Sequence, residues 1–433
     1  MAAPRTSLDP ARSAALDLIG AVVRQRRTLE EALDGQRSIA GLAARDRAFA
    51  RNLAATTLRR LGQIDALIDG CLERPLPAKA GGAHDLLRLG VCQLVFLETP
   101  PHAAVDTTVE LAKRQSHGAY KKLINAVLRR LSRQGTALAK AQDAARLNTP
   151  DWLWDSWSAA YGPETCRTIA QAHLGEPALD LTVKEDSPTW AERLGGTVLP
   201  TGTVRLSGAG PVTALAGFAE GAWWVQDAAA ALPAMLFGEV KGRRVIDLGA
   251  APGGKTAQLA AAGARVVAVD RSAKRLERLK ANLARLGLGA ETLVADAEHW
   301  RPQAPADAVL LDAPCSATGT IRRHPDVVRL KAPEDVSRLA AAQGRLLAAA
   351  AEMVKPGGIL VYSACSLERQ EGPELIAALL HSGAPFARRP IRAREIGGLS
   401  EVLSGAGDLR SLPCHLAGAG GMDGFYAARL GKL

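Results

Sequence analysis

The sequence predicts two differently built parts: an all-helical N-terminal region, then an α/β region with a doubly wound, mostly parallel sheet. Three observations carry this prediction. Apolar residues recur at three- and four-residue spacing as far as residue 133, short apolar runs alternate with helical stretches after Gly242, and the two parts differ in charge. The 433 residues, 47% of them apolar and 23% charged, have ordinary globular composition and the length for two or three cores.

In the first part, helical spacing is clear in Ala14–Leu18–Val22, in Leu86–Leu89–Leu94–Leu97 and in Leu123–Val127–Leu131. Breakers separate the segments at Pro75, Pro77, Gly81-Gly82, Pro100-Pro101 and Gly118. The last segment carries Lys121, Lys122, Arg129, Arg130 and Arg133, either as a phosphate-meeting face or as a wet one. Residues 1–150 hold 23 Lys+Arg against 14 Asp+Glu, a net of +9, whereas 151–433 hold 31 against 30, a net of +1. A basic module beside a neutral one fits a nucleic-acid grip attached to a separate working part; an arginine-rich, solvated surface is the alternative.

The polar, Ala-rich stretch 136–150 reads as a linker between a helical domain at 1–135 and a small α/β part at 151–235. There Trp152, Trp154 and Trp157 suit the buried side of a short helix, and strand-like pieces follow at 179–184, 203–206 and 222–226. The main α/β domain, 236–433, is expected to have strands at 244–248, 266–270, 291–295, 308–312 and 359–363. Helices are expected at 272–286 and 333–354. Any ligand site then lies at the carboxyl ends of the strands.

Acidic Asp9 and Asp17 and the lack of an apolar core speak against a signal peptide, and no apolar run approaches the ~20 residues of a membrane span. A soluble cytoplasmic protein is expected, binding neither membrane nor DNA and working as a monomer. The six scattered cysteines suggest free thiols and no metal site. Cys71, Cys92 and Cys166 are read as small buried hydrophobes.

Val245-Ile-Asp-Leu-Gly-Ala-Ala-Pro-Gly-Gly-Lys-Thr256 reads strand, tight loop, helix, and formally matches a phosphate-binding loop. Such a cradle needs successive backbone N–H groups, and Pro252 has none to give. Asp270 ends the next strand 21 residues after Gly249, placed for ribose hydroxyls, and Asp296 ends the third, placed for an adenine amino group. The pocket therefore suits an adenosine without phosphates, S-adenosyl-L-methionine more readily than ATP. Its candidate residues are Gly249, Ala250, Ala251, Pro252, Gly253, Gly254, Lys255, Asp270, Asp296 and Asp312.

Two further strands run into cysteines, in Leu311-Asp-Ala-Pro-Cys-Ser-Ala-Thr-Gly319 and in Val361-Tyr-Ser-Ala-Cys-Ser366. Cys315 and Cys365 should emerge together at the carboxyl edge. Pro314 and Pro356 are read as stiffening the approach, and Arg322, Arg323 and His324 as supplying positive charge to a thiol. A thiolate beside a methyl donor suits methylation at pyrimidine carbon 5, because its addition to carbon 6 makes carbon 5 nucleophilic. Asp312 could accept from a cytosine amino group or hold a proton at ring nitrogen 3, and a second thiol could aid release.

These motifs resemble the RNA cytosine-5 methyltransferases of the RsmB/NOP2/Sun class. Ile321-Arg-Arg-His-Pro-Asp326 and Asp423-Gly-Phe-Tyr-Ala427 fit its bacterial RsmB subgroup, and Pro101-His-Ala-Ala-Val105 with Asn125-Ala-Val-Leu-Arg129 is similar to the antitermination factor NusB. The resemblance implies a NusB-like helical domain and a Rossmann-like (class I) S-adenosylmethionine-dependent domain. It further implies Cys365 as nucleophile, Cys315 as the residue aiding release, and a flipped cytosine of 16S ribosomal RNA, before full subunit assembly, as substrate. Transfer RNA as substrate and an inactive RNA-binding scaffold are the alternatives. The chain departs from the family pattern at Gly249 (usually cysteine), at Ala364 (usually threonine) and in the diluted acidic run Glu368-Arg-Gln-Glu-Gly-Pro-Glu374. Leu179-Asp-Leu-Thr-Val-Lys184 also lacks the family's Arg-x-Asn.

Overall fold

The computed structural model describes residues 9–114 and 117–433, which divide into two compact units. The helical reading of residue 8, and of 115–116, lies outside them.

The first unit is helical. Asp9 opens Pro10–Val23 by accepting from the Arg12 N–H at 3.1 Å, and Thr28 with Glu31 forms a capping box on the next helix. Helices Ala44–Arg59, Leu61–Asp69, Gly81–Val95, Pro101–Arg114 and Lys121–Ala141 supply most of the remaining core, with Leu18, Leu53, Ile64, Leu86 and Leu128 fully buried. The stretch expected as a linker is mostly helix. Lys121–Ala141 runs through its beginning, Ala144–Asn148 follows, and the unit extends to Gly175. Asn148 shows why: its Oδ1 accepts from the Gly62 and Gln63 N–H groups at 3.0 and 3.2 Å, which pins the polar segment to the core. Trp157 is buried as expected, whereas Trp154 is half-exposed between Arg146 and Arg167.

Residues Arg323–Lys331 also belong to this helical unit. Asp326 accepts from the Leu29 N–H at 3.1 Å and Leu330 packs on the helical core.

The second unit contains two sheets. The small one is antiparallel, ordered β2-β3-β1-β4 from Leu179–Val183 (β1), Thr197–Val198 (β2), Val204–Leu206 (β3) and Trp223–Val225 (β4). The large one contains Arg244–Leu248 (β5), Arg265–Asp270 (β6), Glu291–Val294 (β7), Ala306–Asp312 (β8), Val354–Ala364 (β9), Phe386–Arg388 (β10), Leu409–Ser411 (β11) and Phe425–Lys432 (β12). Its order is β10-β12-β9-β8-β5-β6-β7, with β11 on β12. β7 to β9 pair in parallel through β6, β5 and β8, and β12 joins antiparallel to β9. The five expected strands and both expected helices, Ala273–Leu286 and Pro333–Met353, are in place.

Two buried arginines fix the C-terminal loop beside the sheet. Arg205 makes a two-toothed bond to Asp180, 2.7 Å on each side, and donates to the carbonyls of Ala419 and Gly421. Arg322 bonds Asp227 at 2.7 Å and Gly420 O at 3.0 Å. Among the described residues, no helix is long and apolar enough to cross a membrane.

Candidate active site

The glycine loop follows β5. Gly249 has φ +76° and a Cβ there would overlap the Asp312 carbonyl oxygen, so in this chain the two strand ends approach as closely as glycine allows. The N–H groups of Gly249 and Ala250 go to Val269 O at 2.9 and 3.1 Å, and that of Ala251 goes to the Asp270 carboxylate at 3.2 Å. Three successive donors are thus spent inside the protein. With Pro252 following, no phosphate cradle remains, and the formal phosphate-loop match carries no such site.

Gly253 caps the helix Gly254–Ala261 with φ +107°. Asp270 is buried, bracing the loop and accepting from the Ser272 N–H at 2.9 Å, while Asp296 is exposed just past β7. Lys255 points across to β8, not into the loop: Nζ donates to Asp312 Oδ2 at 2.8 Å and lies 5.2 Å from the Phe425 ring centroid. Burial works against the Lys255 charge, but Asp312 outweighs it and the pKa is raised; the charges of Cys365 and Asp247 act in the same direction. Ser363 holds the other oxygen of Asp312 at 3.0 Å.

Asp247, fully buried on β5, accepts from the Thr256 hydroxyl at 2.6 Å, while its Oδ1 has no hydrogen-bond partner. Burial pushes this carboxyl up to about 7. The set of Asp270, Asp296 and Asp312 around the loop fits a cationic, phosphate-free adenosine better than a nucleotide.

The strand register brings Asp312 opposite Ser363, so the turns leaving β8 and β9 run side by side. Cys315 and Cys365 meet there with their sulfurs 3.3 Å apart, as the sequence predicts. Gly319 N–H donates to Cys365 O at 3.0 Å and Gly424 N–H to Gly319 O at 2.8 Å. A Cβ on Gly319 would strike the Gly424 carbonyl, which explains the closing glycine of the first cysteine motif. The hydrogen bond with Cys365, and then burial, raise the Cys315 thiol well above its ordinary value.

Three expectations are corrected. Arg322 is occupied with Asp227 and Gly420, and Arg323 and His324 fold into the helical unit, where burial and the charge of Arg323 bring His324 down to about 4. The cation beside the thiol site is Lys255, held by Asp312. Pro356 sits near the start of β9, nine residues before the cysteine, so only Pro314 adjoins a thiol. Cys71 is half-exposed, unlike Cys92 and Cys166. Sequence reasoning also missed Glu371, whose burial nothing in the acidic run signals.

The parallel order with an antiparallel β12, and acids and a glycine loop at the carboxyl ends, define a class I methyltransferase-type unit. Residues 234–431 match the family model described as 16S rRNA methyltransferase RsmB/F, and 9–133 match the NusB family. The chain is 38% identical to ribosomal RNA small subunit methyltransferase B of Klebsiella pneumoniae over 85% of its length and 89% of that protein. It is 37% identical to the protein of the same name from Pseudomonas syringae, over 98% and 97%. The solved structure of PH0851 shares the fold over all of both chains, at TM-score 0.76 and 22% identity. The chain belongs to the RsmB/F methyltransferase family.

Proposed function

We propose that the protein methylates carbon 5 of a cytosine in 16S ribosomal RNA, with S-adenosyl-L-methionine supplying the methyl group. The observation that carries the reading is the meeting of two thiols, 3.3 Å apart, beside the Lys255–Asp312 pair. The names of the RsmB relatives support ribosomal RNA as the substrate.

The loop from Gly249 through Ala250, Ala251, Pro252, Gly253 and Gly254 to Lys255, with Asp270 and Asp296, holds the donor. Asp270 takes the ribose hydroxyls and Asp296 the adenine amino group. Asp312, fixed by Lys255 and Ser363, takes the cytosine amino group or a proton at ring nitrogen 3, which favours cytosine over uracil. Cys365 as thiolate, with Lys255 as its cation, bonds to carbon 6; the ring's electron pair moves to carbon 5, which takes the methyl group. Loss of the carbon-5 proton to a water then returns the pair to the ring and expels Cys365 as the thiolate. Cys315, or a water it holds, assists that last step.

The helical unit grips the RNA backbone with Lys121, Lys122, Arg129, Arg130 and Arg133, all exposed on one helix. The reading includes RNA free of the assembled subunit as substrate, a single chain as the working form and a cytoplasmic setting.

The test is tritium release from 16S RNA labelled at cytosine carbon 5. Release that requires S-adenosyl-L-methionine and vanishes in Cys365→Ala is expected. Release from transfer RNA alone would move the substrate, and none from either would leave a scaffold.

A further inference from the structure

Behind the two thiols lies a carboxylate that this reaction leaves without a part. Glu371 is fully buried, on the short turn Arg369–Glu371 six residues after Cys365. Its Oε1 accepts from the Ser316 N–H at 2.8 Å and from Gln343 Nε2 at 3.0 Å. Its Oε2 accepts from the Ser366 hydroxyl at 2.5 Å and from the Ser316 hydroxyl. Ser316 follows Cys315 and Ser366 follows Cys365, so one side chain holds the neighbour of each thiol.

The Tyr362 hydroxyl completes the clamp, its single hydrogen shared between Glu371 O at 2.7 Å and Gln343 Oε1 at 3.1 Å. These hydrogen-bond partners are all neutral. A buried carboxylate satisfied by neutral donors still projects its negative charge onto its surroundings, because the interior screens poorly.

We propose that Glu371 is a positioning residue that decides which thiol attacks. By clamping Ser316 and Ser366 it sets both sulfurs in one site, and it places a buried carboxylate behind the pair, on the side away from the ammonium of Lys255. The inference rests on Cys365 being the nucleophile and Cys315 the residue that aids release. Glu371 is among the charges that raise Cys315, after the hydrogen bond with Cys365 and burial. The other charged or titratable groups facing the pair are Lys255 and Asp312 from the loop side, Tyr362 on β9, and Arg410 on β11. Arg410 donates to Ser366 O at 2.5 Å.

The experiment measures initial rates of iodoacetamide alkylation at each cysteine of the full chain between pH 6 and 10, read by peptide mass spectrometry. Glu371→Gln keeps the shape and removes the charge; Cys315 should react about tenfold faster at pH 8.5, with Cys365 within about twofold. Ser316→Ala leaves the carboxylate charged and less neutralised, so Cys315 should slow by about two- to threefold. Loosened loops would instead speed both thiols in both variants. An unmoved Cys315 rate in Glu371→Gln, or a faster one in Ser316→Ala, overturns the proposal, and Ser316→Ala decides alone if Glu371→Gln does not fold. Methyl transfer that survives Cys365→Ala would strike the assignment of the nucleophile, which alkylation does not address.

Discussion

A thiol that adds to a pyrimidine ring must be ionised, and a neighbour that steadies the departing thiolate by a hydrogen bond must still hold a proton. Cys315, raised and hydrogen-bonded to Cys365, meets the second requirement. Cys315→Ala should therefore accumulate a covalent RNA–protein adduct that survives denaturing electrophoresis, whereas Cys365→Ala should form none. An adduct in neither variant would refute the division of roles. The two thiols were legible in the sequence because each follows a parallel strand, and parallel strands deliver their ends to one edge. Arg322 was misread because nearness along the chain says nothing of direction: its side chain turns to Asp227.

Asp247 carries a pH signature of its own. It binds its proton more tightly folded, at about 7, than at the ordinary 3.8, so the native state holds the extra proton between these values and stability falls as pH rises across them. Asp247→Asn should shrink the loss of unfolding free energy between pH 5 and pH 8 by about 2 to 3 kcal/mol, measured by chemical denaturation at both. Equal pH dependence in the two proteins would mean that the carboxyl is ionised in the fold.

At the scale of elements, strands and loop do different work. The parallel strands were readable as continuous apolar runs, because a sheet covered on both faces needs apolar residues at every position. β10, β11 and β12 escaped because two are three residues long and the third mixes Arg429 and Lys432 into its run. The helix in 136–150 escaped because Asn148 anchors it through backbone N–H groups 85 and 86 residues away. In the loop, Gly249→Ala should cost about 1 to 2 kcal/mol for its left-handed backbone. It should also lower methyl transfer by displacing Asp312, with RNA affinity unchanged. Binding and turnover measured separately test this; unchanged turnover would show that Asp312 tolerates the shift.

At the scale of the whole molecule, the sequence showed a division of labour in its charge, +9 in the first 150 residues and +1 in the rest, and hid the way the chain is shared. Residues Arg323–Lys331 follow Cys315 closely, which suggested an active-site role, yet they belong to the helical unit. The charge asymmetry leads to a thermodynamic expectation. Each phosphate neutralised on single-stranded RNA releases counterions and contributes about 0.7 to the slope of log affinity against log salt. Replacing Lys122, Arg130 and Arg133 by Gln together, all exposed on the helix Lys121–Ala141, should reduce that slope by about 2 for 16S RNA. Binding at low salt should weaken correspondingly, while turnover at saturating RNA stays the same, since none of the three belongs to the thiol site. A slope unchanged within error would make this stripe a solvated face and move the RNA grip elsewhere. A lower slope accompanied by slower saturated turnover would mean that the helical unit also sets the base in place.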